Sequence, residues 1–291
     1  MLPSTKLWHG MVEPSQKKIV LCADDYGLAP GVSRAIRELL ANHRLSATSC
    51  MVVYPEFAQE GPPLRQFLDS ADIGLHFTLT ADKPLQSILV SGWLRGLDSR
   101  KIREELQRQI DIFVAVIGVT PAYIDGHQHV HLLPVVREIV TEAAEKLGAY
   151  IRSTREPITR AMLDRPAPVD SAYLSWAARP LSRLANRRGV RTNTGFRGVR
   201  SFKEQSPFRD LFRQMIDGAA SGSIVMCHPG HVDETLRGRD PIHRQREEEF
   251  AYLSSDDFPR DLAAAGLHLA TLGDSLQPTA TGHLPFNTAV A

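Results

Sequence analysis

A chain of 291 residues, 43% hydrophobic and 23% charged, carries enough apolar side chain for a large core in a soluble protein. Its formal net charge of +1 gives no overall electrostatic reason for a nucleic-acid partner, and no apolar run is long enough to span a bilayer. Cys22, Cys50 and Cys227 all sit in apolar runs without metal-ligand spacing, which argues against a disulfide framework or zinc knuckle and predicts buried thiols.

Residues 1–17 lack the continuous apolar stretch of a secretory signal and read as a flexible extension of a cytoplasmic protein. Residues 18–23 form a buried strand, followed by Asp24 and Asp25 and then by Pro30, which suits the first turn of a helix over 31–43. A second strand covers 47–53. A weaker helix over 57–68 is interrupted at Gly61, Pro62 and Pro63. The third strand, 72–80, sets Ile73, Leu75, Phe77 and Leu79 on one face and Gly74, His76, Thr78 and Thr80 on the other. Residues 81–97 read as a long, partly ordered loop of the kind that covers a site.

Residues 99–117 carry the clearest helical stripe, with Ser99 as cap and Gly118 as stop. A fourth strand, 122–125, runs into Gly126-His127-Gln128-His129-Val130-His131, and a helix follows over 134–147 with Gly148 as its stop. Residues 150–152 are a fifth strand. A helix with a basic face over 171–187 opens the most basic part of the chain, from Arg179 to Arg200, read first as a solvated surface. Then come a strand at 192–195, a helix at 208–216, a strand at 223–228, helices at 242–254 and 258–265, a strand at 267–272 and a tail at 277–291. Alternation of strand and helix without a composition break predicts one α/β domain over 18–276 with a parallel sheet, open or closed. Seven or eight strands and no Gly-rich dinucleotide motif favour a barrel.

In such a fold active groups gather at the carboxyl ends of strands. Asp24, Asp25, His76, Asp125, His127 and His228 all stand there. Two adjacent carboxylates at the end of a buried strand need a cation, a proton or hydrogen-bond donors, so Asp24-Asp25 reads equally as a capping turn or as a metal or acid/base pair. If the run from Asp125 stays extended, His127 and His129 project beside it, and a His pair with a carboxylate suits a divalent metal with open coordination positions. The alternative is a polar turn whose histidines cap the next helix, a role His131 fits best.

Four motifs in order, Ala23-Asp24-Asp25-Tyr26-Gly27, Gly74-Leu75-His76-Phe77, residues 125–131 and Cys227-His228-Pro229-Gly230, resemble the YdjC-like carbohydrate deacetylases, a group with chitooligosaccharide and hopanoid-biosynthesis deacetylases. The resemblance implies a distorted (β/α) barrel and hydrolysis of an N-acetyl group on an amino sugar with one divalent metal ion, magnesium or zinc. It implies Asp25, His76 and His127 as metal ligands, Asp24 as general base and His228 as general acid. Arg152 orients Asp24 or binds substrate in that reading, with Asp125 and His129 as orienting or substrate-binding residues. The substrate is then an acetylated amino sugar, in an oligosaccharide or a glycolipid, with no nucleic acid, no transmembrane segment and a homodimer left open. Alternatives are a metal-dependent sugar-binding or regulatory module without turnover, and a hydrolase of another ester or amide.

Overall fold

The computed structural model describes residues 17–80, 85–94, 96–202 and 205–275. The expected extension and tail lie outside the described residues, except that Lys17 opens the first strand. The strands are β1 Lys17–Tyr26, β2 Ala47–Cys50, β3 Asp72–Phe77, β4 Tyr123–Gly126, β5 Tyr150–Ile151, β6 Gly195–Arg197, β7 Ser223–Cys227 and β8 Leu267–Leu269. All pair in parallel, in the order β5-β4-β3-β2-β1-β7-β6, and β8 lies beside the first residues of β1. One further parallel bridge, Ile151 to Thr192, joins the β5 edge to the residues that lead into β6. The sheet is thus a curled, distorted barrel with helices outside it.

Strand periodicity of two divides the side chains between two cores. On β1, Ile19, Leu21 and Ala23 face the helices, together with Ile73, Leu75 and Phe77 of β3 and Val225 and Cys227 of β7. Val20 and Cys22 point the other way, into a smaller interior core with Ala47, Tyr123, Tyr150, Phe196, Ile224 and Met226. Three buried free thiols, at Cys22, Cys50 and Cys227, agree with the cysteine reading. The interior admits no slack at Gly74, where a Cβ would stand 2.3 Å from Cζ of Tyr123, whose ring stacks on Tyr150 at 4.9 Å. Gly74→Ala is therefore expected to cost about 1–3 kcal/mol by overpacking. Urea unfolding measures it, and an unchanged midpoint would mean the ring moves aside freely.

Several expected elements change. Residues 85–93 form a helix rather than a loop, because Ile88 is buried and Gly92 lies against Leu133. Asp98, not Ser99, caps the following helix Ser99–Ile117 by accepting from the backbone N–H of Arg100 and Lys101. The basic helix over 171–187 is two helices, Pro168–Ala177 and Arg179–Arg187, since Pro180 lacks the N–H a continuous helix needs and opens the second. A short helix, Glu234–Arg239, capped by Asp233, follows β7 without a predicted counterpart. Gly118 and Gly148 end their helices in the left-handed conformation as expected.

Candidate active site

Because all strands run in parallel, the interior-facing residues at their carboxyl ends converge. These are Asp24 on β1, Ser49 on β2, His76 on β3, Asp125 on β4, Arg152 after β5 and His228 after β7. Asp24 continues the interior series of Val20 and Cys22; by the same period Asp25 should face the helices. It does not, because the register with β2 breaks between Ala23 and Tyr26 and Asp25 adopts φ 68°. This kink turns both carboxylates to one side. Asp25 is no helix cap: the helix Pro30–Ala41 has no side-chain cap at Ala29, and Asp233 takes the Gly31 N–H.

Around Asp25, its Oδ1 lies 3.0 Å from His127 Nδ1 and 3.4 Å from His76 Nε2, while Oδ2 accepts from Arg246 Nη2 at 2.6 Å. Arg246 also reaches Asp240 Oδ2 at 2.9 Å. His76 Nδ1 is held at 2.6 Å by Asp125 Oδ1, which aims Nε2 at Asp25. The other Asp125 oxygen accepts from Ser49 Oγ at 2.6 Å and lies 3.0 Å from Arg152 Nε. Arg152 grips Asp24 with both terminal nitrogens, at 2.6 and 2.8 Å. The buried chain Asp24–Arg152–Asp125–His76–Asp25–Arg246 is continuous.

Three buried carboxylates, Asp24, Asp25 and Asp125, face only two buried guanidiniums, Arg152 and Arg246. The deficit invites a further positive charge. Burial would raise the Asp25 carboxyl, yet Arg246 and then His127 hold it well below the usual carboxylate range. Burial would raise Asp125 too, but Arg152 and His76 hold it down. Burial disfavours the His76 imidazolium, but Asp125 and then Asp24 outweigh that and raise its pKa to about 10. Asp125 and Asp24 thus favour the charged form of the His76 imidazole. Donor atoms of Asp25, His76 and His127 lie within 4.8 Å of one another, a grouping that could hold a divalent cation.

This has a pH consequence for the metal-free protein. The unfolded imidazole titrates near pH ~6.5, so His76 contributes stability fully below that value and loses it as pH rises toward about 10. Urea unfolding of metal-free protein between these limits should lose up to about 1.4 kcal/mol per pH unit relative to His76→Gln. A difference that is flat with pH would mean that His76 is neutral in the fold.

The predicted residues are brought together with two corrections. Asp24, Asp25, His76, His127, His129 and His228 line one cavity of about 300 Å³, with Arg200, Phe202, Ile242 and Arg246. The run after Asp125 is not extended: Gln128 and His129 take left-handed conformations in a 3₁₀ turn, His127–Leu132. His129 therefore leaves the Asp25 cluster and packs edge-on against Phe196, where burial, then Arg152 and His131, depress its pKa well below the usual imidazole range. His131 caps no helix; its Nε2 meets the Arg152 carbonyl at 3.0 Å, and burial lowers its pKa to about 4. Arg152 pairs with Asp24 and Asp125, which makes orientation its visible contact.

Arg246 and Glu249 were not among the predicted residues. Both are buried on the helix Arg244–Ser254, and Glu249 accepts the backbone N–H of His228. Their signal was present in spacing: Arg246, Glu249 and Leu253 share one helical face, so the charged pair falls in the apolar stripe.

Two relatives, named chitooligosaccharide deacetylase, come from Yersinia pestis (strain Pestoides F) and Yersinia pseudotuberculosis serotype O:1b (strain IP 31758). Each is 27% identical to this chain over 273 residues, covering 89% of it and 99% of the relative. A crystal structure from Enterococcus faecalis V583, of a protein named for a proposed role in cellobiose-phosphate cleavage, shares the fold. Its TM-score is 0.64 at 21% identity, over 89% of this chain and 99% of that one. Residues 18–264 match the family model described as YdjC-like protein, and with the four strand-end motifs in place the chain belongs to the YdjC-like family.

Proposed function

We propose that the protein is a metal-dependent hydrolase that removes the N-acetyl group from an amino sugar. The observation that carries this reading is the convergence in one cavity of a three-donor cluster, a separate carboxylate and a separate imidazole: Asp25, His76 and His127, then Asp24, then His228. The name shared by the Yersinia relatives supports the same reaction. One carboxylate and two imidazoles suit zinc and neighbouring transition ions better than magnesium, which prefers oxygen ligands alone. A cation held by these residues would polarise the amide carbonyl and acidify a water.

The remaining work falls to side chains of the protein. Asp24 takes the proton of the attacking water. Its two oxygens are engaged by Arg152, but each carboxylate oxygen has a second acceptor direction, and Oδ2 faces the cluster with His76 Nε2 at 4.0 Å. Arg152, donating to both oxygens of Asp24, fixes the plane of its carboxylate. His228, held through its backbone by Glu249 on the far wall, donates a proton to the departing amine. Asp125 orients His76, as a carboxylate behind a ligating imidazole does.

The test is acetate release from a panel of N-acetylated glycosides, acetyl esters and simple amides before and after chelation. Expected is release from an acetylated amino sugar that chelation abolishes and a divalent ion restores. Release confined to esters, or undiminished after chelation, would overturn the reading.

A further inference from the structure

Among the described residues, seven of the eight exposed large apolar side chains lie on just two segments, one after β3 and one after β5; Val119 is the exception. Val90 and Leu94, 60% and 77% exposed, stand one turn apart at the end of the helix Leu85–Trp93. Val169, Tyr173 and Trp176 are spaced at i, i+4 and i+7 along Pro168–Ala177, so this helix turns an apolar stripe to solvent where a polar face is expected. Stacking of Trp93 on Trp176, with centroids 5.8 Å apart, joins the two segments. Ile158 and Leu163 extend the apolar surface along the same chain.

The surrounding sequence is basic. Residues 155–191 hold eight arginines against Glu156, Asp164 and Asp170, in a chain whose overall formal charge is only +1. Arg165 and Arg188 are paired with carboxylates. Arg155, Arg160, Arg179, Arg183 and Arg187 are exposed and form no ion pair among the described residues. Since the strands are parallel, the segments after β3 and β5 leave the sheet at the end where the cavity opens. The helix Leu85–Trp93 also lies against Leu133, directly after the turn that carries His127.

We propose that this face docks on an anionic lipid bilayer, with Trp176, Tyr173 and the aliphatic side chains at the headgroup boundary and the arginines on acidic headgroups. Indole and phenol rings favour that boundary, and basic side chains near an apolar stripe add attraction to anionic lipid. A two-fold pairing of this face with a second copy would bring like-charged arginines together, and nucleic acid offers nothing to the exposed aliphatic side chains. The docked protein would present its cavity mouth to the membrane surface. This inference does not depend on the reaction.

Sedimentation of the full chain with vesicles of phosphatidylcholine alone, or mixed with phosphatidylglycerol, tests it. Expected is binding to the mixed vesicles, weakened by salt, with a blue shift of tryptophan emission. Leu94→Ser combined with Val169→Ser should weaken it by about tenfold or more. Arg160→Glu combined with Arg179→Glu should weaken it by about fivefold per charge removed. These residues are exposed and lie outside the catalytic cluster, and circular dichroism checks that the variants fold. No binding to mixed vesicles at low salt, or binding unchanged in both variants, would overturn the proposal. A concentration-dependent dimer in light scattering that Leu94→Ser and Val169→Ser abolish would overturn it in favour of a second copy.

Discussion

Asp24→Asn is expected to lower kcat by about 10²–10⁴-fold while metal content stays unchanged. The amide keeps the shape of the carboxylate but cannot accept a proton at neutral pH. Asp25, His76 and His127 are untouched, so the donor cluster survives. Some stability is lost as well, because Arg152 presents two N–H groups and the amide offers one acceptor oxygen. A buried donor left facing a donor costs about 1–3 kcal/mol, which leaves a folded protein to assay. Metal analysis and kcat on the same preparation separate the two effects. Full turnover with metal retained would remove Asp24 as the base, whereas lost metal would make it a ligand instead.

The second large effect concerns stability. Arg152 is fully buried and lies within 3.0 Å of oxygens on both Asp24 and Asp125. Arg152→Met keeps much of the apolar stem but leaves two buried carboxylates with no guanidinium between them. Removing one partner from a buried ion pair costs about 3–5 kcal/mol. The pH dependence identifies the cause. Asp125 in the native protein is held well below its usual range, so its contribution to stability is present above the unfolded value near ~3.9 and falls away only in acid. In the variant burial of Asp125 is opposed by His76 and no longer by Arg152, so its carboxyl shifts upward and loses less stability on protonation than in the native protein. The stability gap to the native protein should therefore shrink as pH falls from 8 to about 5. Urea midpoints across that range decide; a gap constant with pH would assign the loss to packing alone.

Much of this site was legible because β-strands impose a period of two. Once Ile73, Leu75 and Phe77 are placed on the helix-facing side of β3, His76 must enter the interior, and the same count sends Asp24, Asp125 and His228 there. The buried thiols and the glycine stops at Gly118 and Gly148 follow from equally local preferences. Other features were not local. Residues 81–97 mix turn residues with scattered apolar side chains, and within them Leu85–Trp93 is helical because Ile88 and Gly92 pack inward. His129 left its expected direction when the chain turned left-handed at Gln128.

The sequence by itself determined the alternating α/β architecture, the carboxyl-end placement of the chemistry-bearing residues and the family. Apolar periodicity and short motifs are written within a few consecutive residues. Only the tertiary structure decided which counter-charge each of Asp24 and Asp25 meets. A left-handed residue in β1 swings Asp25 away from the helix face, Arg152 arrives 128 positions later to hold Asp24, and Arg246 arrives 221 positions later to hold Asp25. A buried carboxylate must find its counter-charge wherever the fold brings one, and that partner has no fixed spacing in the chain.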